Sequence, residues 1–140
     1  ETIRTLMEAG QVVIGCGGGG IPVYRTEGNH LKGAGAVIDK DFASELRAES
    51  LDAAALIILT AVEKVAINFG KPNQTWLDSL TPAEAKVYME RGHFAPGSML
   101  PKVQAAVEFA ESAPGRTALI TLLEKAKDGV AGRTGTVIHQ

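Results

Sequence analysis

Apolar residues recur along the chain at two spacings, one typical of strands and one of helices. The continuous apolar run at residues 54–60 predicts a strand covered on both faces, as in a parallel sheet. Helical spacing over Lys40–Ser50 places Phe42 and Leu46 on the buried side of a helix that Asp39 would cap. The chain therefore carries the two periodicities of an α/β protein.

Capping residues and spacing predict the remaining elements. A threonine, a proline and a glutamate at positions 81, 82 and 84 form a helix-start signal, and Gly92 ends that helix. The other predicted helices are residues 2–9, closed by Gly10, residues 98–112 and residues 121–127. The other predicted strands are residues 11–15, 21–24, Val65–Ile67, 116–120 and Thr136–His139, with a hairpin or excursion over residues 25–35. Their alternation predicts one domain, a three-layer α/β/α sandwich with a mostly parallel sheet.

Composition narrows the classes of partner. The 140 residues are 45% hydrophobic, which is enough for one sizeable core. The 16 acidic and 14 basic side chains are mixed along the chain, so no basic stripe suits nucleic acid. No apolar run approaches the length of a membrane-spanning helix. A single cysteine, with no signal segment before it, favours a reducing cytoplasm.

Four consecutive glycines, Gly17 to Gly20, follow the predicted strand at residues 11–15. The string satisfies the GxGxxG spacing of a dinucleotide fingerprint, but that fingerprint must open a helix. Here the proline and β-branched residues at 21–24 favour extended chain, which argues against a dinucleotide site. Two interpretations stay open: a nest of backbone N–H groups for a small anion, or a plain tight turn.

Two short segments each place a lysine where a helix is predicted to begin. Lys40 lies between Asp39 and Asp41, and a lysine beside a carboxylate supplies the cation and orienting anion that phosphoryl transfer uses. Lys102 follows Ser98 in the first turn of the next helix, where N–H groups and the helix dipole favour an anion. In both segments the alternative is a capping residue followed by a solvated lysine.

Other features give weaker signals. Residues 68–72 offer an aromatic wall with polar neighbours, as a nucleotide base or ribose uses. Cys16 has no identifiable base partner, which favours a structural thiol over a nucleophile. Trp76 is expected in the core or at an interface. Three histidines are too far apart for a zinc site, so no metal ligand is assigned: His30, His93 and His139.

Five strings resemble those of carbamate kinases in their order and spacing. They are GGGGIPV at residues 17–23, AVIDKDFAS at 36–44, NFGKP at 68–72, GHFAPGSMLPKV at 92–103 and GTVI at 135–138. The resemblance covers nearly the whole chain. It is specific because DKD and GSMxPK occur together.

The resemblance implies the amino acid kinase fold and reversible phosphoryl transfer between ATP or ADP and carbamate, with Mg²⁺ bound through the nucleotide phosphates. Asp41 would organise the active-site lysines, Lys40 would approach the migrating phosphoryl group, and Lys102 would neutralise charge on the nucleotide phosphates. The resemblance also implies a homodimer as the full-length protein. The implied ligand contacts are Gly18, Gly19 and Gly20 near carbamate, and Asn68, Phe69, Lys71, Ser98 and Met99 near the nucleotide.

Two departures from the family pattern bear on function. Where carbamate kinases usually read LTDVDAVY, this chain reads LTAVEKVA, so Ala61 replaces an acid and Ala66 an aromatic residue. Family members are also roughly twice as long, and their amino-terminal half supplies another glycine-rich loop and further lysines. We therefore expect the full-length parent to be a kinase and this carboxy-terminal part alone to be inactive.

Two other functions stay open. One is a nucleotide-binding or assembly module that keeps the fold without turnover. The other is an amino acid kinase acting on a carboxylate, although the GGGGIPV and DKD strings argue against it.

Overall fold

The computed structural model describes residues 1–140. Its helices are α1 Thr2–Glu8, α2 Lys40–Ser50, α3 Pro82–Glu90, α4 Met99–Ser112 and α5 Ala126–Val130. Its strands are β1 Val23–Arg25, β2 Leu31–Gly33, β3 Ala55–Thr60, β4 Val65–Ile67, β5 Thr75–Leu77, β6 Ser79–Leu80, β7 Thr117–Leu122 and β8 Thr136–His139. None of these helices is both long and apolar enough to cross a bilayer.

The main sheet has four strands in the order β3-β7-β8-β6. The β3–β7 and β8–β6 pairs are parallel and the β7–β8 pair is antiparallel, so the predicted mostly parallel α/β sheet is confirmed. Helices α2 and α4 pack on one face, and α4 contributes the largest share of the buried core. The β1–β2 and β4–β5 hairpins lie outside this sheet.

The connections from α2 to β3 and from α4 to β7 are only a few residues long. Each helix must therefore run back along its strand, which puts both helix starts beside the carboxyl ends of β3 and β7. In open α/β sheets ligands bind at this edge. The topology thus selects where a site should lie.

The second face of β3 is open to solvent. Burial alternates along this strand, with Leu56 and Ile58 in the core and Ile57 and Leu59 at 44% and 40% exposure. Helix α5 packs on this face but contacts β7. The prediction that β3 is covered on both faces was therefore wrong for this chain.

Residues 11–15 do not form the predicted strand. Val12 and Ile14 are 95% and 98% exposed, and no strand lies beside them. β-Branched sequence favours extended backbone, but a strand also requires a neighbour for its N–H and C=O groups. That neighbour is not supplied by the rest of the chain.

The predicted helix at residues 121–127 was also misplaced. Strand β7 continues through Leu122, a 3₁₀ turn occupies Leu123–Lys125, and α5 begins only at Ala126. Thr121 is fully buried in β7, facing Gly129 of α5. Its β-branched side chain suits the sheet, which explains the error.

Helix α2 turns a carboxylate rather than a leucine toward the core. Phe42 packs against the core as predicted, but Leu46 is 61% exposed while Glu45 is only 6% exposed. Burial, and next the neighbouring carboxylates of Glu49 and Glu108, raise the pKa of Glu45 above its usual value. The positive charge of Arg116 opposes this shift.

Replacing Glu45 with glutamine should stabilise the protein at neutral pH. Glu45 has a higher pKa in the folded protein than in the unfolded chain, so the folded protein binds the proton more tightly. Below the ordinary carboxyl pKa both states are protonated, and stability falls as pH rises from that value through the raised pKa. Glutamine cannot ionise. We expect the thermal midpoint of Glu45→Gln to exceed that of wild type at pH 7 and the advantage to vanish near about pH 4. Glu90→Gln, on the exposed side of α3, is the control, and a variant less stable than wild type at pH 7 would contradict the expectation.

Thr136 is fully buried in β8, and its side chain links the β4–β5 hairpin to the main sheet by hydrogen bonds. Its hydroxyl accepts a hydrogen bond from the N–H of Val65 at 2.8 Å and donates one to the carbonyl of Leu77 at 2.5 Å. Thr136→Val keeps the shape but leaves both groups unpaired. We expect the free energy of unfolding to fall by about 1–3 kcal/mol. Urea denaturation measures this, and Thr117→Val, at a half-buried threonine without a side-chain hydrogen bond, should have a clearly smaller effect.

Candidate active site

Two segments that the sequence singled out separately meet at one point. Asp41 lies in the first turn of α2, and Lys102 lies in the first turn of α4, 61 positions later. The Lys102 Nζ donates to the Oδ2 and Oδ1 atoms of Asp41, at 2.8 and 3.2 Å. Their side chains are 20% and 13% exposed, respectively. The pair is thus shielded enough for charge to act strongly, yet a ligand can reach it.

Local sequence determines both helix starts. Asp39 caps α2, and its Oδ1 accepts a hydrogen bond from the N–H of Asp41 at 2.7 Å. Ser98 occupies the N-cap position of α4, but its hydroxyl makes no capping hydrogen bond. The Leu100 N–H donates to the carbonyl of Ala95 at 3.0 Å and Pro101 has no N–H, so Met99 carries a first-turn N–H that lacks a backbone acceptor. Together with the positive end of the helix dipole, it favours an anion at this position.

Lys40 begins α2 and has an exposed side chain. It makes no ion pair, unlike Lys102. Both lysines nevertheless stand at the same edge of the sheet. The structure brings Asp41 and Lys102 into contact and leaves Lys40 exposed at the start of α2 without an ion-pair partner.

The glycine run forms a tight turn against the start of α2. The N–H of Gly19 donates to the carbonyl of Cys16 at 2.7 Å. Gly19 is buried with φ +133°, and a Cβ there would lie 2.0 Å from the carbonyl oxygen of Ile38, so only glycine fits. Gly18 and Gly20 stay exposed. Extended chain and β1 follow rather than a helix, which is incompatible with a dinucleotide fingerprint, as predicted.

A mostly apolar cavity of about 240 Å³ opens beside the start of α4. It lies where β3 ends, between the β4–β5 hairpin and the loop before α4. Its lining residues are Thr60, Ala61, Val62, Lys64, Ala66, Phe69, His93, Phe94, Ala95, Ser98 and Met99. A nucleotide has a flat base at one end and anionic phosphates at the other. A largely apolar cleft for the base, next to a lysine for the phosphates, matches these two ends.

The cavity contains three of the five predicted nucleotide contacts, Phe69, Ser98 and Met99. Asn68 and Lys71 do not line it. Asn68 adopts a left-handed φ of +53° and directs its amide toward the carbonyl of Asn73 at 3.5 Å, while Lys71 is exposed in the following turn. The loop at 68–74 therefore presents its aromatic ring to the cavity and its lysine to solvent.

Sequence reasoning missed several lining residues. Some lie where β3 ends, an edge that the parallel topology would have identified, and others lie in the HFAP string just before Ser98. The missed residues are Thr60, Val62, Lys64, His93, Phe94 and Ala95.

The cavity lining includes one lysine, Lys64, and no acidic residue. The hydrogen bond to Asp78, at 2.5 Å, raises the pKa of the Lys64 ammonium, which therefore stays protonated at neutral pH. Glu63 is the nearest acid in sequence, but its carboxylate accepts a hydrogen bond from the Thr134 hydroxyl at 2.5 Å. A bound ligand thus meets no carboxylate from the lining.

Trp76 was expected in the core or at an interface, and it does not lie in the core. It is 49% exposed on β5, and its ring packs edge-on against Phe69 with 6.1 Å between ring centroids. It is the only tryptophan in the chain. Its fluorescence should therefore report a ligand that contacts Phe69.

Cys16 is half-buried, and its Sγ accepts a hydrogen bond from the Arg47 guanidinium at 3.1 Å. The contact ties the glycine turn to α2. No cluster of three or more His, Cys, Asp or Glu side chains is arranged to hold a metal ion.

The sequence profile of the amino acid kinase family matches residues 1–121. The chain is 66% identical over its whole length to a carbamate kinase-like protein, YqeA, of Escherichia coli (strain K12). It is 57% identical to carbamate kinase 1 of Enterococcus faecium over 124 residues, which are 89% of this chain and 39% of that relative. A solved structure of carbamate kinase from Giardia lamblia bound to AMP-PNP is similar at TM-score 0.93 and 41% identity, over 99% of this chain and 48% of that one.

Each of these matches covers only part of the matched protein. The chain spans 45% of the Escherichia coli relative and less than half of the other two proteins.

Proposed function

Because the chain belongs to the amino acid kinase family, we propose that it is the carboxy-terminal part of a phosphotransferase that moves a phosphoryl group between carbamoyl phosphate and ADP. Its carbamate-kinase-like fold, which the five strings predicted, is confirmed by the structural similarity at TM-score 0.93. The observation that carries the proposal is the Lys102–Asp41 pair at the sheet edge where α2 and α4 begin.

Phosphoryl transfer places negative charge on the oxygens of the migrating group, and the protein's task is to position and stabilise that charge. Lys102 would supply a cation at the nucleotide phosphates. Asp41 would hold the Lys102 ammonium in place through the two hydrogen bonds at 2.8 and 3.2 Å. Lys40, which has no carboxylate partner, would approach the phosphoryl group from the start of α2.

The nucleotide would lie along the start of α4. Its base would enter the 240 Å³ cavity, against Phe69 and Met99, and its phosphates would extend toward Lys102. Mg²⁺ would arrive with the nucleotide and neutralise phosphate charge. The glycine turn would face the carbamate end, since Gly18 and Gly20 are exposed there and glycine backbone can approach a small anion. Homodimerisation and a cytoplasmic location belong to the same proposal.

A second candidate is a nucleotide-binding module without turnover. Two observations favour it: Ala61 and Ala66 line the cavity where the family pattern has an acid and an aromatic residue, and the Escherichia coli relative is named carbamate kinase-like rather than carbamate kinase. This candidate predicts nucleotide binding without phosphoryl transfer.

One assay separates the candidates. The full-length protein, purified with Mg²⁺, ADP and carbamoyl phosphate, should form ATP, which luciferase luminescence measures. Acetyl phosphate, and in the reverse direction glutamate and aspartate with ATP, test for an amino acid kinase of another substrate class. ADP binding by calorimetry, with neither ATP formation from the two acyl phosphates nor ATP consumption with the two amino acids, would support the second candidate and overturn the first.

A further inference from the structure

The inner wall of the nucleotide cavity is built from small side chains. Ala66 on β4 is buried at 5% exposure and lines the cavity, as do Ala61 and Ala95. The larger apolar side chains of the lining are the aromatic rings of Phe69 and Phe94 and the flexible side chain of Met99. A ligand ring held by these larger groups would meet only methyl groups at the alanines.

The volume of the cavity exceeds that of an unsubstituted base. A purine ring system has about ten non-hydrogen atoms, which at roughly 20 Å³ per close-packed atom fill on the order of 200 Å³. The cavity measures about 240 Å³. The difference of about 40 Å³ is room for about two further non-hydrogen atoms on the same scale, and unfilled apolar space forfeits dispersion attraction.

The polar residues of the lining do not favour a polar group in the unfilled part of the cavity. The four polar residues are Thr60, Lys64, His93 and Ser98, and the Lys64 ammonium is already held by Asp78. Extra volume on the ligand would therefore be best filled by an apolar group.

We infer that Ala66 determines base specificity, and that the cavity accepts purine nucleotides carrying a methyl-sized apolar substituent on the base at least as well as unsubstituted ones. The inference rests on the proposed function, since it assumes that the base enters this cavity. Ala66 here acts by its small size. A larger side chain at this position would occupy the space that the substituent needs.

The direct test is calorimetric titration of the full-length protein with ADP and with N⁶-methyl-ADP, both with Mg²⁺. Wild type should bind the two ligands with similar affinity or prefer the methyl compound. Binding of ADP about tenfold or more tighter than N⁶-methyl-ADP would overturn the inference while leaving the proposed function intact. Failure of both ligands to bind would overturn the two together.

Substitution at position 66 tests the assignment to this residue. Ala66→Val adds two non-hydrogen atoms at a strand position that suits a β-branched residue, so it should fill the unoccupied space and weaken binding of N⁶-methyl-ADP relative to ADP by about tenfold. Ala83→Val, at an exposed alanine of α3, is the control and should leave the ratio of the two affinities unchanged. An unchanged ratio in a folded Ala66→Val protein would show that Ala66 does not set specificity.

Discussion

Lys102→Ala in the full-length protein should lower the rate of ATP formation by about 10²- to 10³-fold, the usual cost of removing one preorganised charge from a transition state. Lys102 donates two hydrogen bonds to Asp41 and lies at the start of α4, where the positive end of the helix dipole adds to its charge. Its ammonium is held in place before substrate binds. No reorganisation is then needed as charge develops on the phosphoryl oxygens.

The measurement is kcat for ATP formation from carbamoyl phosphate, with thermal unfolding run in parallel. The parallel run matters because the variant leaves the Asp41 carboxylate, at 13% side-chain exposure, without its partner. Lys86→Ala is the matched control: it removes an ion pair with Glu111 at 2.6 Å on the exposed surface and should leave kcat unchanged. A folded Lys102→Ala protein that keeps more than about a tenth of wild-type kcat would exclude the proposed role.

Asp41→Asn refines the result. The amide still accepts a hydrogen bond from Lys102 but carries no charge, so an effect smaller than that of Lys102→Ala would indicate that Asp41 acts by positioning the lysine. An effect as large would indicate that its charge is itself required.

Local signals in the sequence predicted α2 and the capping box of α3 because those features depend on neighbouring residues. Thr81 and Glu84 exchange hydrogen bonds within four residues, and Asp39 reaches the N–H of Asp41 two positions on. The Lys102–Asp41 contact was not readable in this way. It depends on α2 and α4 lying side by side on one sheet, a property of strand order that periodicity does not encode.

The errors have a common physical origin in missing or unexpected tertiary neighbours. The sequence at residues 11–15 is suited to a strand, but a strand forms only where another strand completes its hydrogen bonds. Glu45 and Leu46 exchanged their expected environments in α2, which packs against α4, an element distant in sequence. Trp76, expected in the core or at an interface, packs edge-on against Phe69 and is 49% exposed.

The cavity was the least predictable part of the site. Its lining comes from four separated stretches, and most members are apolar residues that resemble any core residue in sequence. Phe69, Ser98 and Met99 were anticipated as nucleotide contacts: the aromatic segment at residues 68–72 pointed to Phe69, and the family resemblance implied all three.

The isolated 140-residue chain should form no ATP from carbamoyl phosphate above background, at least about 10³-fold below the full-length protein. The reason lies in what the chain leaves uncovered. Val12 and Ile14 extend into solvent at 95% and 98% exposure, and the apolar face carrying Ile57 and Leu59 has no layer over it. The glycine turn follows directly after residues 11–15, so its position depends on a segment that lacks a strand partner.

The same assay, run on the isolated chain and on the full-length protein at equal concentration, checks this expectation. The Trp76–Phe69 contact and the nucleotide cavity lie wholly within the chain, so quenching of tryptophan fluorescence by ADP should persist and would show that the chain is folded. ATP formation by the isolated chain at a rate near that of the full-length protein would contradict the proposal. Binding without turnover is the expected result, and it would mean that Lys40, Asp41 and Lys102 are insufficient alone. A displacement of about 1 Å at the glycine turn is enough to lose the alignment that phosphoryl transfer requires.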